Sequence, residues 1–115
     1  MIVTGWGRIL KTDSAYNDLL LKSTVVTMDN RNCDDIYSKR GRSLSNFEFC
    51  GVIGTNICFA TQGSAAFKTK GDDSRAIIFG LTSDGGPECG SETPIIFTKI
   101  SSYLNWIENI VWPGM

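Results

Sequence analysis

The sequence predicts an all-β domain that ends in one helix. Several segments rich in β-branched and aromatic residues alternate with turn-forming residues, a pattern typical of strands. The last segment instead places apolar residues at helical spacing. The 115 residues, 42% of them hydrophobic, predict a single globular domain over residues 1–115.

The predicted strands are bounded by polar turns. Their segments are Leu19–Met28, Asn46–Cys50, Ala65–Lys68, Ala76–Thr82 and Pro94–Ile100. The run Ala76–Thr82 is almost continuously apolar, as expected for a strand buried on both faces. Turn formers follow it at Asp84–Pro87.

Two segments favour helix. Asp29–Ser38 opens with turn formers and then offers one or two helical turns. Near the end, Ser101 or Ser102 could cap a final helix through its hydroxyl oxygen, and Pro113–Gly114 would end it. Apolar residues share one face of this helix, which predicts that it docks on its own domain: Tyr103, Leu104, Ile107, Ile110 and Val111.

The charge balance excludes some partners. Eleven basic and twelve acidic residues give a net charge of -1, which provides no electrostatic reason to bind nucleic acid or an anionic membrane. The densest basic stretch, Lys39–Arg42, is expected to be a solvated loop. The chain has no histidine and no CxxC pair, so neither a metal nor an organic cofactor is expected.

The cysteine count favours an oxidising compartment. Cysteines at 33, 50, 58 and 89 suggest two disulfides, with three connectivities open. No apolar run approaches the ~20 residues of a membrane span. The start, Met1–Gly5, lacks a basic segment and is not a signal peptide, so we expect a fragment or a different true N-terminus.

Three stretches, in this order and spacing, resemble one known family. They are V-T-G-W-G at Val3–Gly7, F-G-L-T-S at Phe79–Ser83 before a glycine loop, and T-P-I-I-F-T-K-I at Thr93–Ile100 leading to Y-L-N-W-I at Tyr103–Ile107. The chain resembles the C-terminal half of the trypsin/chymotrypsin-like serine proteases (peptidase family S1).

The resemblance implies a fold and a disulfide pattern. It implies the second subdomain of the family, a six-stranded Greek-key barrel with a C-terminal α-helix. It also implies the disulfides Cys33–Cys50 and Cys58–Cys89, each contributing about 2–4 kcal/mol of stability, and a secreted, extracellular protein.

The nucleophile loop departs from the family's pattern. Active members carry G-D-S-G-G-P one residue after the cysteine that corresponds to Cys58, and here only Gly63 matches a glycine. Gln62 stands at the serine position, and a carboxamide is no nucleophile. Ala60 replaces an oxyanion-hole glycine. Thr61 replaces the aspartate that receives the new N-terminus on activation.

The specificity pocket also departs from the family's pattern. Asn56 stands at its base, where trypsin-like enzymes carry aspartate, so a Lys or Arg guest would gain no charge pair. Ser83, Asp84 and Gly85 match the S-W-G strand of the pocket wall, with Asp84 in place of tryptophan. Ile95 replaces a pocket-lining glycine and is expected to fill much of the cavity.

Other candidate groups give no alternative active site. The family's histidine and aspartate lie in the other half of the fold, so this chain cannot assemble a triad. Ser64 would leave the tight turn and has no base in reach. Asp72 and Asp73 are expected at a solvated hairpin tip, and Lys68 and Lys70 are also expected in solvent.

Three functions fit these residues. The favoured one is a catalytically inactive protease homologue that is secreted and binds an unidentified protein partner. The second is a truncated product of a trypsin-like endopeptidase gene, because half of a two-barrel fold leaves an apolar face bare. The third is an unrelated disulfide-linked interaction module, which linkage of Cys33 to Cys58 or Cys89 would favour.

Overall fold

Six antiparallel strands form a closed barrel in the computed structural model, which describes residues 1–5, 20–53, 63–71, 75–84 and 94–114. The order around the barrel is β1-β2-β3-β6-β5-β4. This confirms the predicted six-stranded barrel. The strands are β1 (Ile2–Gly5), β2 (Leu21–Met28), β3 (Glu48–Ile53), β4 (Ala65–Thr69), β5 (Ala76–Asp84) and β6 (Ile95–Lys99).

The barrel core is built from side chains that alternate along the strands. One buried cluster fills the interior: Val3, Val25, Ala66, Ile95 and Phe97. The Phe97 ring stacks on Phe49 with centroids 5.1 Å apart. Gly80 makes this stack possible, because a Cβ there would lie 2.6 Å from Phe49 Cε1.

The prediction that Ala76–Thr82 is buried on both faces is wrong for its first half. Ala76 to Phe79 are exposed, and only Gly80 and Thr82 of this run are buried. The pairing register gives the reason. β5 pairs with β6 only from Gly80 onward, whereas its first residues pair with β4 alone, so they lie beyond the closed part of the barrel wall.

Helix α1 (Asn30–Ser38) confirms the predicted helical turns. Its N-cap Asp29 accepts a hydrogen bond from the Arg31 N–H at 3.1 Å. The disulfide Cys33–Cys50, the pair that the resemblance implies, joins α1 to β3. A second buried cluster forms around this disulfide: Cys33, Tyr37, Cys50 and Ile96.

The C-terminal helix begins differently from the prediction. Ile100–Tyr103 form a 3₁₀ turn, and α2 (Leu104–Val111) follows it. The predicted caps Ser101 and Ser102 are therefore wrong, because both lie inside the 3₁₀ turn and Tyr103 takes the N-cap position of α2 without a side-chain hydrogen bond.

The predicted docking of α2 on its own domain is also wrong. No residue of α2 is buried, and Trp106 and Ile110 are 64% and 58% exposed. The helix contacts the 3₁₀ turn, and that turn contacts β5, so α2 reaches the barrel mainly through its first residues. No helix within the described ranges is long and apolar enough to cross a membrane.

Candidate functional site

The predicted nucleophile loop borders the described part of the chain. Asn56, Ala60, Thr61 and Gln62 lie outside the described residues, as do Gly85 and the second cysteine pair, Cys58 and Cys89. The assignments made for these positions therefore stay predictions. The described part of the site comprises the residues that come directly after this loop and the strands beside them.

Backbone hydrogen bonds join the end of the nucleophile loop to β5. The Gly63 N–H donates to the Thr82 carbonyl at 2.7 Å, and the Thr82 N–H donates to the Ser64 carbonyl at 2.8 Å. Gly63 has φ 89°, a left-handed conformation that glycine adopts without steric cost. The residue after Gln62 is therefore held beside the strand that carries the predicted pocket residues Ser83 and Asp84.

A bulge redirects the end of β5. The register of β5 against β6 shifts between Thr82 and Asp84, so Asp84 pairs with Ile96. The Asp84 side chain is 40% exposed, and its Oδ2 lies 3.6 Å from the Arg42 Nε. Asp84, which is predicted to stand in place of the family's tryptophan, is therefore paired with a cation.

Arg42 is the site residue that the sequence prediction missed. Its Nη2 lies 2.8 Å from the Glu48 Oε2, so one guanidinium bridges Glu48 and Asp84. Lys39 and Arg40 are exposed, as predicted for this basic stretch, but Arg42 is folded against the barrel. No sequence signal identifies it, because its two partners lie 6 and 42 positions away along the chain and only the fold brings them together.

The ion pair between Arg42 and Glu48 shifts the pKa of both residues. Burial raises the pKa of Glu48, but the hydrogen bond from Arg42, hydrogen bonds from Ser45 and the charge of Arg42 outweigh it, and the net pKa is lowered. The hydrogen bond to Glu48 raises the pKa of Arg42 further above its already high value. Both groups are charged at neutral pH.

Tyr37 connects this cluster to the predicted pocket lining. Its hydroxyl is buried and donates a hydrogen bond to the Pro94 carbonyl, directly before Ile95. Burial raises the pKa of Tyr37, and the negative charge of Asp84 raises it further. The phenol is therefore a neutral donor that positions the start of β6.

Ile95 lies in the barrel core. It is 8% exposed and packs in the same cluster as Val3, Val25, Ala66 and Phe97. Whether it also fills the specificity pocket stays a prediction, because Asn56 and Gly85 lie outside the described residues.

The other candidate groups lie away from this cluster. Lys68 and Lys70 are exposed as predicted, and the Lys68 ammonium lies 5.5 Å from the centroid of the Phe79 ring. Asp72 and Asp73 fall outside the described residues. The described residues contain no group of three that could hold a metal ion.

The described site residues form a cluster of paired charges. The Asp84 carboxylate faces the Arg42 guanidinium, and the chain contains no histidine. Ion pairs and hydrogen bonds hold the cluster in one arrangement. Such an arrangement can recognise a charged or polar surface.

The chain is similar to proteins of one known family. The family model described as "Trypsin" matches residues 1–107. The chain is 31% identical over 111 residues to the CLIP domain-containing serine protease HP8 of Bombyx mori, covering 93% of this chain and 29% of that protein.

Two fruit fly proteases are similar over nearly the whole chain. Melanization protease 1 of Drosophila melanogaster is 30% identical over 117 residues, covering 96% of this chain and 28% of that protein. Serine protease Hayan of the same species is 28% identical over 126 residues, covering 97% and 19%. The chain spans less than a third of the length of these three relatives. Its match to the family model and to these relatives shows that the chain belongs to the trypsin family.

Proposed function

We propose that this protein is a catalytically inactive member of the trypsin family that acts by binding another protein outside the cell. The proposal rests on Gln62, which the spacing from Cys58 and the family resemblance predict to stand in place of the nucleophilic serine. A carboxamide cannot form an acyl-enzyme. Without that intermediate, the mechanism of the family has no first covalent step.

The composition of the whole chain supports inactivity. The chain contains no histidine, and the family's general base belongs to the other half of the fold. Even with that base supplied, the position it must activate carries no hydroxyl. Ala60 and Thr61 also replace the residues that build the oxyanion hole and the activation pocket. The chain therefore lacks four requirements of catalysis: the nucleophile, the general base, the oxyanion-hole glycine and the activation aspartate.

The Arg42–Glu48–Asp84 cluster supports a binding function. It places fixed charges beside the end of β5, where the family carries an aromatic residue. Complementary charges at an interface favour one partner over others and speed its association. We expect the partner to be a protein.

An extracellular location fits the disulfide and the relatives. A disulfide such as Cys33–Cys50 persists in oxidising compartments. Two of the relatives are venom proteins by name, the venom plasminogen activator TSV-PA and snake venom serine protease 2.

Peptide hydrolysis tests the proposal. The oxidised chain is incubated with chromogenic peptides that present arginine, tyrosine or alanine, with active trypsin as the positive control. We expect no turnover above the rate of buffer alone. Turnover that a serine-directed phosphonate abolishes would show that the protein is a protease.

The second candidate is a truncated product of a longer protease gene. The exposed apolar residues of α2 and the greater length of the relatives favour it. The discriminating measurement is the mass of the secreted protein together with the transcript upstream of Met1. A transcript that encodes a histidine-bearing first half would support this candidate, and a stable secreted 115-residue species would support the first.

A further inference from the structure

The turn after α1 presents basic side chains to solvent. We call residues 38–41 the basic turn: Ser38, Lys39, Arg40 and Gly41, all of which are exposed. None of them carries an apolar side chain, whereas the large exposed apolar side chains of β5 and α2 lie elsewhere. Neither Lys39 nor Arg40 forms an ion pair with a carboxylate of the described residues. The basic turn is therefore a polar, accessible and locally cationic surface.

The backbone of the basic turn leaves the helical path at Gly41. This residue has φ 76°, and a Cβ added there would have no atom within 4 Å. The Gly41 N–H donates to the Ser38 carbonyl at 3.0 Å, and the Arg42 N–H donates to the Tyr37 carbonyl at 3.1 Å, the pattern of a glycine-capped helix end. Exposed helix ends open locally at low cost. The Arg40–Gly41 bond can therefore become extended while the barrel stays folded.

Both sides of the basic turn are anchored on the barrel. The disulfide Cys33–Cys50 joins α1, which precedes the turn, to β3, which follows it. Directly after the turn, the Arg42 guanidinium pairs with Glu48, the first residue of β3. The disulfide encloses the Arg40–Gly41 bond, so the two sides of a break in that bond would stay covalently joined.

We propose that the Arg40–Gly41 peptide bond is a processing site for an endopeptidase that cleaves after arginine. One water molecule gives its hydroxyl to the Arg40 carbonyl carbon and its hydrogen to the Gly41 nitrogen, and the C–N bond between these atoms breaks. A protease site that binds arginine is anionic, and the neighbouring Lys39 and Arg42 complement it. The product is a folded two-chain protein joined by Cys33–Cys50. This proposal does not depend on whether the protein is itself inactive.

A second basic turn provides the comparison. Lys70 is exposed and precedes Gly71, which has φ 53°. Asp72 and Asp73 follow directly in the sequence, whereas no Asp or Glu occurs between positions 36 and 47. An anionic protease site repels carboxylates beside the bond that it cleaves. Cleavage after Arg40 should therefore be at least about fivefold faster than cleavage after Lys70.

Limited proteolysis of the oxidised full chain with trypsin tests the proposal. Sequencing of the new N-termini over time should show the end at Gly41 before the end at Gly71. Reduction should separate the two chains of the nicked protein, and its near-ultraviolet circular dichroism should match that of the uncut protein. Cleavage after Lys70 that is as fast as cleavage after Arg40, or loss of the circular dichroism signal on cleavage after Arg40, would overturn the proposal.

A pair of variants tests whether local opening exposes the bond. Glu48→Gln removes the charged anchor of Arg42 and should speed cleavage after Arg40 about fivefold, because cleavage follows the population of the open turn when reclosing is fast. The same variant should leave cleavage after Lys70 unchanged, and Asp35→Asn should change neither rate. Equal acceleration at both sites in Glu48→Gln would mean that global unfolding exposes Arg40, which would overturn the proposal.

Discussion

Arg42 Nη2 lies 2.8 Å from Glu48 Oε2, and this ion pair joins the loop after α1 to the first residue of β3. Glu48 also accepts the Ser45 N–H at 2.9 Å through its other oxygen. One carboxylate therefore organises the loop between the two disulfide-linked elements. Because Arg42 also forms an ion pair with Asp84 on β5, the loop is connected to the strand that carries the predicted pocket wall.

The Arg42–Glu48 pair should make stability depend on pH in the acidic range. The folded-state pKa of Glu48 is lowered from an ordinary value of 4.5, so its stabilising contribution is complete above about pH 4.5 and disappears as the pH falls through the lower folded pKa. Glu48→Gln should lower the free energy of unfolding at pH 7 by about 1 kcal/mol.

Urea denaturation at pH 7 and at pH 3 measures this dependence. The difference between Glu48→Gln and the unchanged protein should shrink at pH 3, because this pH lies below the ordinary value of 4.5 and protonation of Glu48 then favours the unfolded chain. Asp35→Asn, which changes a carboxylate of α1 that makes no ion pair among the described residues, is the control. A difference that is the same at both pH values would contradict the assigned charge pairing.

Tyr37→Phe should destabilise the fold by about 1–2 kcal/mol. The variant removes the buried hydroxyl that donates to the Pro94 carbonyl and leaves that acceptor without this partner. Tyr103→Phe is the matched control, because Tyr103 is 40% exposed and its hydroxyl can bond to water. Equal urea midpoints for the two variants would show that the Tyr37 hydroxyl contributes no more to stability than the exposed Tyr103 hydroxyl.

Gly80→Ala should destabilise the barrel by about 1–3 kcal/mol, because the added Cβ would overlap the Phe49 ring. The same substitution in a Phe49→Leu background should cost less, since the smaller side chain leaves room for the methyl group. Thermal unfolding of the four proteins in this cycle measures the coupling. Additive costs would mean that Phe49 is not the obstacle.

Disulfide mapping tests the family's cysteine pattern. Peptide mass spectrometry without reduction should recover Cys33 with Cys50 and Cys58 with Cys89, the first of which is present in the structure. Replacing Cys33 and Cys50 together by alanine should cost about 3 kcal/mol, because that disulfide closes a loop of 17 residues. Linkage of Cys33 to Cys58 or Cys89 would contradict the fold.

The sequence predicts well the features that depend on local pattern. The strands Ala65–Thr69 and Ile95–Lys99 lie within a residue or two of their predicted segments, and α1 (Asn30–Ser38) falls within the segment Asp29–Ser38 that was predicted to contain helical turns. The barrel could be predicted only from the family resemblance, because hydrophobic periodicity does not determine the order of strands in a sheet.

The errors arise where tertiary context decides. The sequence predicts that the apolar residues at the start of β5 are buried. The pairing register of β5 with β6 instead leaves these residues outside the closed barrel wall. Ser101 and Ser102 are good caps by residue type, yet a 3₁₀ turn displaces the start of the helix past them. The position of Arg42 depends on Asp84, a partner that only the fold supplies.

Exposure of the C-terminal helix was the least predictable feature. The apolar face of α2 has the spacing of a docked helix, but spacing does not say on what it docks. The residue pattern alone cannot distinguish a surface within the chain from one that another polypeptide provides.

Covalent labelling of the nucleophile position is the sharpest test of inactivity. The oxidised chain, alone and mixed with a protein that supplies a histidine-bearing first half of the trypsin fold, is incubated with a fluorophosphonate, and its intact mass is measured. We expect an unchanged mass in both cases, because Gln62 stands at the nucleophile position. A single adduct on a serine of this chain, formed at a rate typical of active proteases, would show instead that the chain carries a working nucleophile.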